Sequence, residues 1–172
     1  MLLLNHDFFD RDVLKVAPEL IGKIIIRKFS DGSMARFRIT QTEAYRGEDD
    51  KACHANKGRT PRTEIMYHQP GTIYVYLIYG MYWMLNFVTE KQDIPQAVLI
   101  RAVEGYDGPG KLTKALQIDK TFNDQSIVDN HRIQLFDDLY QPKIINAPRI
   151  GVDYAGEVWA QKSWRFIDKN LS

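Results

Sequence analysis

Apolar and polar positions alternate with a period of two along much of this chain, which predicts a protein built mainly on β-strands. Lys23 to Phe29 reads as a strand, Asp31-Gly32 as a hairpin turn and Met34 to Tyr45 as the return strand. In the return strand Ala35, Phe37, Ile39, Gln41, Glu43 and Tyr45 share one parity, and Arg36, Arg38, Thr40 and Thr42 form the wetter row. Glu43 therefore extends the row that begins on the apolar side, an odd place for a carboxylate. Thr72 to Tyr79, Tyr82 to Thr89 and Ala97 to Val103 follow as strands, with Gly80-Met81 as a tight connection. They are β-branched and aromatic on both parities, the pattern of strands covered on both faces.

Helical spacing is brief. Phe8, Phe9, Val13, Leu14 and Val16 suit a short helix that ends before Pro18, and Pro18 to Gly22 restart a turn. Lys111 to Ile118 carries Leu112, Ala115 and Leu116 at helical spacing after Gly108-Pro109-Gly110. Residues 46–71 lack a period and are punctuated by Gly47, Gly58, Pro61, Pro70 and Gly71, so they read as a long loop, and such loops in compact domains are commonly functional. The stretch 119–141 is polar and uninformative. The tail, Pro148 to Val152 and then Trp164 to Phe166, reads as two short closing strands. No repeat or linker divides the chain, so residues 1–172 are expected to form one domain of mixed α/β (α+β) class. Its sheet should be curved and largely antiparallel, flanked by short helices, since hairpin-length connections argue against a doubly wound parallel sheet.

Composition narrows the class. The 172 residues carry 23 Lys plus Arg against 22 Asp plus Glu, a formal charge of +1, which excludes a histone-like basic protein and an acidic disordered tail. No apolar run is long enough to span a bilayer, and Met1-Leu2-Leu3-Leu4 meets Asn5-His6-Asp7 too soon for a signal peptide. The expectation is a cytoplasmic, intracellular protein. Cys53 is the single cysteine, which rules out an internal disulfide and a multi-cysteine zinc site. Nine Tyr, eight Phe and three Trp make an aromatic-rich chain and raise the question of what the rings pack against.

Three polar residues break the strand pattern: Glu43, Asn86 and Arg101. A buried ion costs about several kcal/mol unless paired. Two readings stand side by side, a Glu43–Arg101 salt bridge that tolerates burial and a polar pocket in an aromatic sheet with Glu43 as general base. Tyr45, His54, Tyr74, Tyr76, Tyr79 and Tyr82 surround this set in sequence, and flat rings around a polar pocket suit stacking on a planar base, worth ~1–3 kcal/mol per base. Lys51, Lys57, Arg59 and Arg62 give the long loop a local cationic excess, and Lys111, Lys114, Arg149, Lys162 and Arg165 add cations later. Acidic residues gather at Glu48-Asp49-Asp50 and around Asp124, Asp129, Asp137 and Asp138. This division permits a basic face that touches a few phosphates.

Several ordered motifs coincide over nearly the whole chain: Thr42-Glu43-Ala44-Tyr45-Arg46-Gly47, His54, Gly58-Arg59-Thr60-Pro61-Arg62, Pro70 through Tyr82, Asn86, Val98 through Glu104, Gly108 through Leu112, and Pro148 through Val152. In these the chain closely resembles the alkyladenine (3-methyladenine) DNA glycosylases of the mammalian type and their bacterial relatives. The resemblance implies an enzyme that flips an alkylated or deaminated purine out of double-stranded DNA and hydrolyses its N-glycosidic bond, leaving an abasic site. By similarity Tyr79 fills the gap in the duplex, Tyr45 stacks on one face of the base, and His54 and Tyr76 stand against the other. Glu43 deprotonates the attacking water, Arg101 helps to hold it, and Asn86 crowds the 2-amino group of guanine. Arg59, Arg62, Lys111 and Arg149 are the candidates for DNA backbone contact. No cofactor or metal is implied, and a monomer is expected.

The chain departs from that pattern at Glu48, where relatives often have proline, and at Glu104-Gly105, where Glu-Pro is common. It also lacks a long N-terminal extension and is less basic than mammalian relatives, which predicts weaker, more salt-sensitive DNA binding. Two other classes compete: a metal-dependent nuclease using Glu43, Asp49, Asp50 and His54, and a lesion- or RNA-binding module in which Glu43 is only structural.

Overall fold

The computed structural model describes residues 1–171. Its strands are β1 (Leu2–Leu3), β2 (Ile24–Lys28), β3 (Met34–Arg46), β4 (Ile73–Ile78), β5 (Tyr82–Thr89), β6 (Gln96–Val103), β7 (Tyr106–Asp107), β8 (Ile133–Asp137), β9 (Ile144–Ala147) and β10 (Arg165–Asp168). They form one antiparallel sheet in the order β1-β8-β2-β3-β6-β5-β4, with β7 on β6 and the β9–β10 pair on β3. Four short helices accompany it: α1 (His6–Phe9), α2 (Val13–Leu20), α3 (Pro109–Ala115) and α4 (Glu157–Ala160).

The 13-residue β3 organises the sheet, because it pairs with β2 along its first half, with β10 along its second and with β6 on its other edge. Its register against β6 steps from Ile39↔Val103 to Gln41↔Ala102 and then to Thr42↔Ile100. Thr40 on β3 and Arg101 on β6 are each left without an opposite residue, which is how a β-bulge re-aims the side chains beyond it. The core row of β3 runs Phe37, Ile39 and, past the bulge, Ala44, with Thr42 buried beside it. The core row of β6 is likewise Val98, Ile100 and then Val103. The predicted row through Phe37, Ile39 and Glu43 is thus broken: Glu43 and Tyr45 face away from the main core, and Thr42 points into it, where its Oγ1 donates to the Ala17 carbonyl at 2.8 Å.

One face of β4, β5 and β6 packs Ile73, Val75, Leu85, Phe87, Val98 and Ile100 into the main core with α2 and α3. Tyr74 lies in a second apolar cluster with Met66 and Tyr67, and Tyr76 packs against it. The two-faced composition of these strands was predicted and is what the sheet uses.

Several boundaries differ from expectation, and the one short helix expected from Phe8 to Val16 is two, α1 and α2, the second capped by Asp12. The helix α2 runs through Pro18 to Leu20; burial of Val13, Val16, Ala17 and Leu20 on one face outweighs the single hydrogen bond that proline forgoes. The closing strands are Ile144–Ala147 and Arg165–Asp168, so Pro148 to Val152 is a bend that leaves β9 rather than a strand. Tyr79 leaves β4 and forms the hairpin loop with Gly80. Within 119–141 the chain forms a short 3₁₀ turn at Lys120–Phe122 and the strand β8, which burial of Ile133 and Leu135 against β2 secures.

Candidate active site

The pocket face of the sheet opens into a cleft of about 1090 Å³. Its floor comes from β3 and β6, through Glu43, Tyr45, Leu99 and Arg101, and its wall from Tyr74, Tyr76 and Asn86 on β4 and β5. The long loop covers it and supplies His54 from a 3₁₀ turn at His54–Lys57; a second such turn, Glu64–Tyr67, holds the loop to the sheet through Met66 and Tyr67. The bend after β9 closes the far side with Ile150, Gly151 and Val152.

Glu43 is fully buried. Its Oε2 accepts from the Tyr45 hydroxyl at 2.8 Å and its Oε1 from the Ile150 backbone N–H at 2.9 Å. Arg101 Nε stands 3.6 Å from Oε1, too far for a hydrogen bond, and has no partner of its own. A carboxylate offers about four lone-pair sites, and the protein fills two of those on Glu43. The two charges lie close, and polar capacity on each is left open. An electropositive donor and an unsaturated carboxylate at one floor are what a bound, polarised water requires.

The aromatic walls are set by neighbours. His54 Nδ1 lies 3.1 Å from the Tyr74 hydroxyl, and its ring meets Tyr76 edge-on at 4.6 Å between centroids. Burial, with Arg62 and Lys57 adding repulsion, pushes His54 down to about 4, so the ring is neutral at neutral pH. Burial raises Tyr74 to about 12 and Tyr76 higher still, and burial and then the Glu43 charge lift Tyr45 well above the usual phenol value. All three hydroxyls stay protonated, as donation from Tyr45 to Glu43 requires. Asn86 is buried and turned back on the sheet, its Nδ2 donating to the carbonyls of Tyr74 at 3.2 Å and Met84 at 3.4 Å.

Tyr79 sits at the lip, 84% exposed, with φ 53° next to Gly80 at φ 66°. Two left-handed residues make the turn that matches the twist of a hairpin, but the conformation costs a non-glycine residue about 1–2 kcal/mol. The base of this hairpin leans on α3: a Cβ at Gly110 would come within 2.7 Å of Tyr82 Cδ1, so only glycine lets the helix approach this closely.

The four predicted backbone cations separate. Arg62 and Lys111 line the cleft mouth and are exposed, with Lys51 and Lys57 nearby. The exposed Arg59 is held by Glu64 at 2.7 Å and Asp93 at 3.0 Å, which compensate its charge. Arg149 is a correction: its side chain is fully buried, so it cannot reach a phosphate. Its Nη1 and Nη2 donate to the two oxygens of Asp50 at 2.6 and 2.9 Å. Asp50 also accepts from the backbone N–H of Arg46 and of Ala52, both at 3.0 Å, so all four of its lone-pair sites are used. Asp50 is consequently spent as a metal ligand, and among the described residues no three His, Cys, Asp or Glu side chains converge to hold a metal. The Asp50–Arg149 pair escaped the sequence reading because its members lie 99 positions apart. Cys53 is buried beside His54, and burial raises its thiol to about 12, which leaves it inert. Glu48, one of the departures noted above, accepts from the Tyr67 hydroxyl at 2.7 Å and so ties down the loop.

A carboxylate floor with open lone pairs, converging aromatic rings and a cationic mouth suit an enzyme that acts on a planar ring attached to a polyanion. Comparison with known proteins says which one. A model of the methylpurine-DNA glycosylase (MPG) family matches residues 7–107 and 104–172, and the chain belongs to that family: it is a DNA glycosylase of base-excision repair. It is 47% identical over 190 residues to a protein of Methanocella arvoryzae, covering 99% of this chain and 94% of the relative. It is 44% identical over 191 residues to one from Psychrobacter cryohalolentis (94% and 89% covered) and 42% over 187 residues to one from Natranaerobius thermophilus (95% and 93%). All three carry the name "Putative 3-methyladenine DNA glycosylase". Among the described residues no helix is long and apolar enough to cross a membrane.

Proposed function

We propose that this DNA glycosylase flips alkylated or deaminated purines, of the 3-methyladenine, 7-methylguanine and hypoxanthine class, into the cleft and hydrolyses the N-glycosidic bond with a water activated by Glu43. The observation that carries this reading is the half-satisfied Glu43 carboxylate at the floor of an aromatic-walled cleft. Tyr79 enters the duplex and takes the place of the flipped nucleotide; its exposure and its left-handed backbone support that role, since strain is retained where function requires it. Tyr45 stacks on one face of the base, with His54 and Tyr76 against the other, and Asn86 crowds the 2-amino group of guanine. Arg101 Nε, unpartnered beside Glu43, donates to the same water. Arg62 and Lys111 meet the DNA backbone.

The division of labour follows from the leaving group. An alkylated purine is cationic and departs readily, so the protein chiefly supplies the water and stabilises an oxocarbenium-like sugar. A positioned base contributes about 10²–10⁴-fold, and its negative charge favours the developing cation. The water loses its proton to Glu43 and its oxygen bonds to C1′ as the base leaves with the glycosidic electron pair. Because water is the nucleophile, no lysine is needed in that role and the product is an intact abasic strand.

The test is duplex DNA carrying one 3-methyladenine or hypoxanthine, incubated with the protein in EDTA. Free base and an alkali-labile site are expected, and both should be lost in Glu43→Gln. Strand scission that chelation abolishes would instead indicate a nuclease, and tight lesion binding without release would indicate a binding module.

A further inference from the structure

Arg149 does more than neutralise Asp50. Its Nη1 also donates to the Ala44 carbonyl at 2.9 Å, and its guanidinium lies 4.9 Å from the Tyr45 ring centroid. Ala44 and Tyr45 are the residues that follow Glu43 along β3, and Ile150 is the residue that follows Arg149. The two donors to Glu43 therefore come from residues stacked on Arg149 or bonded to it. Ile150 is itself half exposed, so its own side chain does little to fix its backbone N–H. The bend is pinned by Arg149 before it and by Val152 after it, the latter buried with Ala52 and Ala155.

We propose that Asp50–Arg149 is a positioning pair for Glu43: it sets the Tyr45 hydroxyl and the Ile150 N–H so that the remaining lone pairs of the carboxylate point into the cleft. The inference rests on the reading of Glu43 as the base. A planar fork with two bonds to one carboxylate fixes direction as well as distance, which a lysine cannot reproduce. Displacement of a reacting group by about 1 Å costs on the order of 10²-fold in rate.

Single-turnover release of hypoxanthine from duplex DNA, measured well below each variant's thermal transition, tests the proposal. Arg149→Lys is expected to slow release by about 10²-fold with affinity for the lesion duplex unchanged. In a Glu43→Gln background the same substitution should produce no further slowing, because the pair acts through Glu43. A wild-type rate in folded Arg149→Lys, or equal slowing in both backgrounds, would overturn it. Should Arg149→Lys fail to fold, the pair Asp50→Asn with Arg149→Gln keeps a neutral hydrogen-bonded couple and is judged by the same criteria. If Glu43→Gln keeps the wild-type rate, the assignment of the base falls. A slow Glu43→Gln beside a fast Arg149→Lys overturns the positioning role alone.

Discussion

Two carboxylates seven residues apart are both fully buried, and they do opposite things. Asp50 receives four donors, two from one guanidinium and two from backbone N–H groups, and nothing further can bind to it. Glu43 receives two, with Arg101 close but unbonded. Burial is equal in the two cases, so it does not mark the base we propose. Unfilled hydrogen-bonding capacity facing a cleft does. A saturated buried ion is a fastening, and a half-saturated one is a site held ready for a molecule the protein does not itself supply.

The sharpest way to break this comparison is to neutralise each carboxylate in turn. Glu43→Gln should slow base release by about 10²–10⁴-fold while leaving the thermal transition nearly where it is, since the amide oxygen still accepts from the Ile150 N–H and the Tyr45 hydroxyl, which both donates and accepts, turns to accept from the amide nitrogen. Single-turnover kinetics beside a circular-dichroism melt would decide; a large loss of stability would mean that Glu43, too, is a fastening. Asp50→Ala should do the reverse. It strands Arg149 as an uncompensated buried charge and should cost about 3–5 kcal/mol, read from urea unfolding.

Tyr79 offers a smaller test of the same idea, that function is kept at a cost to stability. Replacing it with glycine relieves the left-handed conformation and should stabilise the fold by about 1 kcal/mol, while weakening capture of a lesion duplex. Equal or lower stability in Tyr79→Gly would remove the argument for retained strain. His54 supplies a test by pH. The unfolded chain binds a proton there near the ordinary histidine value, and the folded one only near about 4. Between those values the unfolded state binds more protons, so the contribution to stability is present above 6.5 and lost as pH falls toward 4. In His54→Asn the decline over that window should flatten. The depression of Asp138 to about 2 by Arg38 acts lower, below the ordinary aspartate value, and does not interfere.

Much of the site was legible because strands advertise their exceptions. Glu43, Asn86 and Arg101 stood out as polar residues in apolar strands, and the structure places all three around one cleft with Tyr45, His54 and Tyr76. What the alternation could not convey was the pair of bulges at Thr40 and Arg101. A row read by parity assumes an unbroken ladder, and one extra residue on each strand exchanges the faces beyond it. That is why Thr42 was assigned to the wet row although it is buried, and why Glu43 does not continue the face of Phe37 and Ile39.

The sequence by itself determined the antiparallel, hairpin-connected architecture, the aromatic character of one sheet face and the motifs that mark a DNA glycosylase, because these depend on residues close together in the chain. Only the tertiary structure decided which charges are free. Arg59 and Arg149 look like any other basic residue in a linear reading, yet one is held on the surface by two carboxylates and the other is sealed against Asp50, 99 positions away. Charge is a property of composition, whereas its availability is set by what the fold places within about 3 Å of it.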